Sequence, residues 1–248
     1  ERLKEQDQDG VSAEVLYPTP RVSNTVFWHT EDPEFHLSCI RAYNDWLSDF
    51  CSPYPNRLKG LAMVNVDNVG EAVRELKRVA RLGLVGALIP LRPMEMRYNH
   101  PNYEPLWAAA QDLEISLSLH TGTVRWRPNT DFLEEMENDP LIQTNAEAIA
   151  RESIADMIFS GVFERYPKLR VGAIEFEVAW APYFIRRMDN VYRERTAGLR
   201  GHRYKGNDLP SDFFRRNVFI SFQEDELGIQ LRHYIGVDNL MWASDYPH

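Results

Sequence analysis

One apolar stretch of this chain after another ends in a residue able to do chemistry: Asn65, Arg92, His120, Glu175 or Glu177, Gln223 and Asp245. Imidazole and carboxylate together suit a zinc or manganese ion, and a carboxylate beside a bound water can act as a general base. In Ile115-Ser116-Leu117-Ser118-Leu119-His120 the apolar residues take every second position. On a strand this puts Ser116, Ser118 and His120 on one face and the aliphatic residues on the other. Asp245 closes Met241-Trp242-Ala243-Ser244. A carboxylate there needs a partner, because burying it alone is costly; a metal ion or cationic side chain would serve, and a helix N-cap is the plainer alternative. Glu175 and Glu177 share the parity of Ala173, so both are expected to project into the same mouth.

The remaining candidates carry weaker signals. Arg92 could dock a substrate carboxylate through a bidentate contact, or only pair with a nearby acid. Asn65 and Gln223 could orient substrate, or only satisfy loop backbone. Trp28, His29 and Trp126 fall in predicted loops and could wall a pocket for a flat ring. His248 is either a rim residue or part of the turn after Pro247. His36, His100, His202 and His233 show no ligand spacing and are read as surface.

These residues need elements to position them. Strands are predicted over Ser12–Tyr17, Leu58–Val66, Gly86–Leu91, Ile115–His120, Leu169–Glu177, Val218–Gln223 and Asn239–Asp245. Helices are predicted from Glu1 to Gly10, from Asp32-Pro33 to about Phe50, from Asn68 to Gly83 and over Tyr103–Leu113. Three more follow, over about Asn145–Phe163, about Ala179–Arg195 and Glu226–Ile235. Residues 197–212 are polar and contain glycine, the pattern of a mobile loop. Strict alternation of strand and helix means parallel strands. Chemistry gathered at strand ends favours an α/β barrel, the TIM (β/α)8 architecture, over a doubly wound open sheet. No Gly-rich phosphate loop follows any strand, which argues against a nucleotide-binding unit. The expected organisation is a single partial barrel domain over 1–248, with an elaborated rim loop at about 122–145.

The bulk composition narrows the partners. With 248 residues the chain can bury a sizeable core. Its net charge of −9 and the lack of a Lys/Arg cluster argue against nucleic acid. No apolar run reaches the roughly 18 residues of a membrane span, and no signal peptide opens the chain. The two cysteines, Cys39 and Cys51, read as reduced thiols, which points to the cytoplasm.

At these residues the chain resembles a known family, the amidohydrolase-related proteins of the aminocarboxymuconate-semialdehyde decarboxylase type. The resemblance rests on Tyr103-Glu104-Pro105-Leu106-Trp107-Ala108-Ala109-Ala110, Leu119-His120-Thr121-Gly122, Gly161-Val162-Phe163-Glu164-Arg165-Tyr166-Pro167, Trp180-Ala181-Pro182-Tyr183 and Ser244-Asp245-Tyr246-Pro247-His248. It implies a metal-dependent (β/α)8 barrel whose ion is held by a His-x-His pair ending strand one, a His ending strand five and an Asp ending strand eight. Counting the first strand seen here as strand two, His120 and Asp245 take the latter two places. The first strand and the final helix of such a barrel are not recognised, so the chain reads as truncated at both ends. The family's decarboxylases usually end strand six in His, where this chain has Glu175 or Glu177.

The resemblance therefore implies a hydrolase or a non-oxidative decarboxylase acting on a small carboxylated, cyclic substrate. One divalent metal, zinc first and manganese second, would sit on His120 and Asp245 and lower the pKa of a bound water. Glu175 or Glu177 would shuttle the proton and Arg92 would dock an anionic group. A homodimer is carried over as the assembly. The alternative is an inactive barrel fragment, or a binding protein of the same fold, with an open seam between two strand edges and weak metal binding.

Overall fold

The computed structural model describes residues 1–19, 32–124, 139–195 and 202–246. Trp28, His29, Trp126 and His248 therefore lie outside the described residues. The strands are β1 (Glu14–Leu16), β2 (Leu58–Met63), β3 (Gly86–Ile89), β4 (Ser116–His120), β5 (Val171–Ile174), β6 (Val218–Phe222) and β7 (Leu240–Trp242). The described helices are α1 (Arg2–Asp9), α2 (Pro33–Cys51), α3 (Val69–Arg81), α4 (Glu104–Asp112), α5 (Pro140–Thr144), α6 (Glu147–Phe159), α7 (Val162–Arg165), α8 (Ala181–Arg195), α9 (Pro210–Asn217), α10 (Glu226–Gln230) and α11 (Arg232–Ile235).

All seven strands run parallel, in the spatial order β1 to β7. A doubly wound sheet would reverse its order near the middle. This one does not reverse, and sequential parallel winding is that of a (β/α)8 barrel. Among the described residues β1 pairs only with β2 and β7 only with β6. Val15 and Trp242 stand exposed on those two edges.

Local chemistry sets the boundaries. Asp32 accepts hydrogen bonds from the Glu34 and Phe35 amides ahead of Pro33, starting α2. Asn68 does the same for Glu71 and α3, and Gly83, at φ 80°, ends that turn. The single helix predicted up to Phe163 is broken by Gly161 at φ 75° into α6 and α7. Of the segment read as a mobile loop, 197–212, residues 197–201 lie outside the described residues and the end forms the first turn of α9, with Pro210 in that turn and Asp212 accepting from the Leu209 amide. Just before it lies buried Tyr204, whose hydroxyl donates to Ile158 O and whose backbone amide donates to the Tyr192 hydroxyl, both at 3.0 Å. A polar, Gly-containing composition hid these tertiary anchors.

The two faces of the sheet do different work. Leu58, Ala62, Ala87, Ile89, Leu117, Leu119, Val171, Ala173, Val218 and Ile220 pack with Leu76, Trp107, Ile154 and Phe163 of the helices. The alternate residues point inward. Gly86 lets the Leu61 side chain approach where a Cβ would meet it at 2.5 Å, and Gly172 does the same for Phe219 at 2.4 Å. Leu61, Met63 and Leu88 form a smaller cluster with Ile40, against which Tyr17 packs.

β1 is too short to cover the whole edge of β2. Beyond it, the Asn44 carboxamide takes both backbone groups of Met63, accepting from N at 2.8 Å and donating to O at 2.9 Å. Asn44 also donates to Glu75 at 2.8 Å, and buried Glu75 is neutralised by Arg78 at 2.7 Å. Asn44→Ala should therefore cost about 3 kcal/mol, because it strands buried groups as well as removing bonds. Urea unfolding measures it; a loss below about 1 kcal/mol, the worth of one ordinary hydrogen bond, would mean water replaces the carboxamide.

Packing also loads the fold with un-ionisable phenols. Burial raises the pKa of Tyr17 to about 12 against an ordinary 10, with the Ser118 hydrogen bond offsetting part of the rise. Burial likewise raises Tyr43, Tyr98, Tyr103 and Tyr204. The native state then holds these protons more tightly than the unfolded chain. Their stabilising contribution is complete below pH 10 and is lost as pH rises through the native values. Urea midpoints should fall steeply above pH 10 together with tyrosinate absorbance; a flat midpoint across that range would contradict the burial.

Candidate active site at the strand ends

His120 is the last residue of β4 and is nearly buried, at 7% exposure. Fully buried Thr123 fixes the chain leaving it: its hydroxyl donates to His120 O at 2.7 Å and accepts from the Leu91 amide at 3.0 Å. The end of β3 and the end of β4 are thereby joined through one side chain. The imidazole Nδ1 lies 2.9 Å from Thr121 O. A carbonyl only accepts, so Nδ1 carries the proton and Nε2 is the nitrogen turned to the site. Nε2 stands 3.1 Å from Glu175 Oε2. A bare lone pair facing a carboxylate oxygen is repulsive at that distance, so this juxtaposition calls for a shared proton or a nearby cation.

Glu175 reaches His120 through backbone geometry that alternation does not foresee. β5 ends at Ile174, which is in register with His120. Glu175 and Glu177 then adopt φ 67° and 53°, left-handed values that side-chain-bearing residues rarely take. The expected shared parity of Ala173, Glu175 and Glu177 is thus lost at the strand end. Three clamps from the neighbouring β6 end hold the turn. The Glu175 amide donates to Ser221 Oγ at 2.9 Å. The Gln223 amide donates to the Glu177 carboxylate at 3.3 Å. Asp225 accepts from the Val178 and Ala179 amides at 2.8 and 2.7 Å while capping α10 through Gly228.

The other expected residues distribute around the same end of the sheet. Glu177 engages the Gln223 backbone, which places Gln223 in this bracket. Arg92 pairs with Glu152 of α6 at 3.1 Å, beside a second pair, Arg97 with Asp156 at 2.7 Å. Asn65 donates to Asp67 at 3.0 Å and lies 3.2 Å from His36 Nδ1. Asp245 lies three residues beyond β7 and is also left-handed, at φ 53°.

Two histidines read as surface are not. His36 is 2% exposed, because the first turn of α2 packs over the β2 end. His202 is half-buried and hydrogen-bonds Glu164 at 2.7 Å. Tyr17 was overlooked altogether: its ring stacks on His120, with centroids 5.3 Å apart and planes at 27°, and its hydroxyl lies 2.9 Å from Ser118 Oγ. It ends the first predicted strand, so the same rule of strand ends applied to Ser12–Tyr17 would have found it.

Imidazole and carboxylate at this rim are the donor chemistry of a zinc or manganese site, and the Nδ1 anchor of His120 is the usual outer support of a metal-binding imidazole. Among the described residues, no group of three His, Cys, Asp or Glu side chains is arranged to hold an ion. The donors present fit part of a coordination shell.

The sequence pattern of the family described as Amidohydrolase matches residues 11–248, and the chain belongs to that family. It is 24% identical over 272 aligned residues to a gamma-resorcylate decarboxylase of Rhodococcus jostii (strain RHA1), covering 99% of this chain and 76% of that protein. The crystal structure of 5-carboxyvanillate decarboxylase LigW from Sphingomonas paucimobilis superposes with a TM-score of 0.76 at 26% identity, covering 99% of this chain and 72% of the other. The 5-carboxyvanillate decarboxylase of Novosphingobium aromaticivorans, solved with manganese and 4-hydroxy-3-methoxy-5-nitrobenzoic acid, superposes at 0.80 with 22% identity, over 99% and 69%. The chain is thus an amidohydrolase-family enzyme among decarboxylases, on their barrel fold. No helix among the described residues is long and apolar enough to cross a membrane.

The Asp225 bracket is directly testable. Asp225→Ala leaves the Val178, Ala179 and Gly228 amides without their acceptor and should cost about 3 kcal/mol. Amide exchange at Val178 and Ala179 should accelerate far more than exchange in β5. Equal acceleration throughout the sheet would show that the bracket acts globally and does not hold this turn.

Proposed function

We propose that this chain is a metal-dependent non-oxidative decarboxylase of small hydroxylated aromatic carboxylic acids. The observation that carries the reading is the His120–Glu175 contact of 3.1 Å at the adjoining ends of β4 and β5. It sits in a chain whose family relatives include decarboxylases of gamma-resorcylate. His120 and Asp245 would hold one divalent ion, manganese before zinc, since solved relatives carry manganese. When bound, the ion would supply positive charge against the substrate's anionic groups.

The protein's own part is proton handling and exclusion of water. Loss of CO2 from a ring carboxylate leaves an electron pair on the ring carbon, and one proton must arrive there. Glu175 is the donor: its carboxyl group, held by the left-handed turn beside His120, carries that proton at a fixed place and passes it to the ring carbon. Water then returns a proton to Glu175, and the balance is ring–COO− plus H+ giving ring–H plus CO2. Glu177 serves by clamping the Gln223 backbone and so keeps Glu175 in its left-handed turn. Asn65, Gln223, Trp28 and His248 are assigned to the substrate pocket. Arg92 would dock a substrate carboxylate only by leaving Glu152. Ring opening by hydrolysis is the second reading, favoured by an acid at Glu175 where the resembling decarboxylases have His.

Purified protein supplied with Mn2+ or Zn2+ should release CO2 from 2,6-dihydroxybenzoate or 5-carboxyvanillate. Glu175→Gln, which keeps the shape and cannot deliver the proton, should lower kcat by about 10²–10⁴ with KM little changed. Amide or lactone opening without CO2 release would sink the decarboxylase in favour of the hydrolase.

A further inference from the structure

Tyr17 touches His120 from the far side of the barrel interior. It follows β1, while His120 ends β4, three strands away in the sheet. Its two contacts fall on successive inward residues of one strand. The hydroxyl lies 2.9 Å from Ser118 Oγ, and the ring stacks on His120 at 5.3 Å. Behind it pack Leu61, Met63 and Leu88. A one-point contact would let the phenol ring pivot. Two points along the same strand fix its plane, and through the stack they fix the plane of the imidazole. Thr121 O secures the Nδ1 edge of that imidazole at 2.9 Å, so ring face and ring edge are held by separate groups. A simple filler would need neither the Ser118 bond nor the near-parallel stack.

We propose that Tyr17 is the positioning residue of His120, holding its imidazole in the Nδ1–H form with Nε2 aimed at Glu175 and the metal position. The inference rests on the proposed metal-dependent reading for its consequence and on geometry alone for its mechanism. Ser118 is the anchor of the device, so changing it should reproduce the loss of the hydroxyl and add nothing once that hydroxyl is gone.

The test pairs nitrogen NMR of the histidine rings with Mn2+ titration followed by the free-ion EPR signal. Wild-type should show His120 in the Nδ1–H form, and Tyr17→Phe, which keeps the stack but loses the Ser118 anchor, a small admixture of the other tautomer. Tyr17→Leu should show a mixture of tautomers. Its Mn2+ affinity should fall about 10- to 100-fold, while Tyr17→Phe and Ser118→Ala change it by no more than about threefold, in line with outer-shell supports of metal-binding imidazoles. Thermal unfolding identifies any variant that fails to fold, and Tyr17→Met then replaces Tyr17→Leu. An unchanged His120 signal and unchanged Mn2+ affinity in a folded Tyr17→Leu protein would overturn the proposal. If the wild-type takes up no Mn2+, the metal-dependent reading falls, and the tautomer measurement still decides the role of Tyr17.

Discussion

The pairing of His120 with Ile174 across β4 and β5 is the constraint from which the site follows. In a parallel ladder a slip of one residue turns every side chain to the opposite face, so the buried Leu117 and Leu119 rows hold this register firmly. With His120 opposite the last residue of β5, the next residue along is Glu175, and it meets the imidazole with no strand between. The apolar packing of the helices on one face thus determines which polar groups meet on the other.

The meeting is not free. Glu175 and Glu177 both sit at left-handed backbone angles, each costing about 1–3 kcal/mol for a residue with a side chain. The neighbouring β6 end offsets this with Ser221, the Gln223 amide and Asp225. Such strain gathers where a chain must aim a group rather than continue a ladder, and Asp245 repeats the conformation after β7. Three acids at one rim, in a chain of net charge −9, also make an unaided anionic substrate unwelcome. Arg92 is engaged with Glu152, so the proposed cation would be the main source of attraction for such a substrate.

Much of this architecture was legible in the residue pattern. Each predicted strand has its counterpart, and the rule of polar strand ends picked out His120 and Glu175, which meet at 3.1 Å, while Asp245 lies three residues past β7. It read the strands too long at their C-terminal ends: Leu169–Glu177 became Val171–Ile174, and Asn239–Asp245 became Leu240–Trp242. Apolar content continues after hydrogen bonding stops, since Phe176 and Val178 are buried without belonging to a strand. The Tyr204 anchor was hidden because its partners, Tyr192 and Ile158, are remote in sequence, and so was α9, whose Ser211 amide donates to Asp189 of α8. His36 was misread for the same reason, as helical periodicity cannot show that a first turn lies over a strand end.

Periodicity is a property of regular elements, and it lapses where the chain leaves them. At a barrel rim that is also where side chains become available to substrate. Alternation correctly pointed Ser118 and His120 inward, because both lie within β4. It failed for Glu175 and Glu177, whose directions are set by a left-handed turn and by bonds from another strand. Tyr17 lies between these cases: it comes just after β1, keeps that strand's inward parity, and finds its partners only once β4 has been laid beside β3. The rim geometry of this sheet is therefore written in two layers, a local one that delivers each residue to the rim and a tertiary one that aims it.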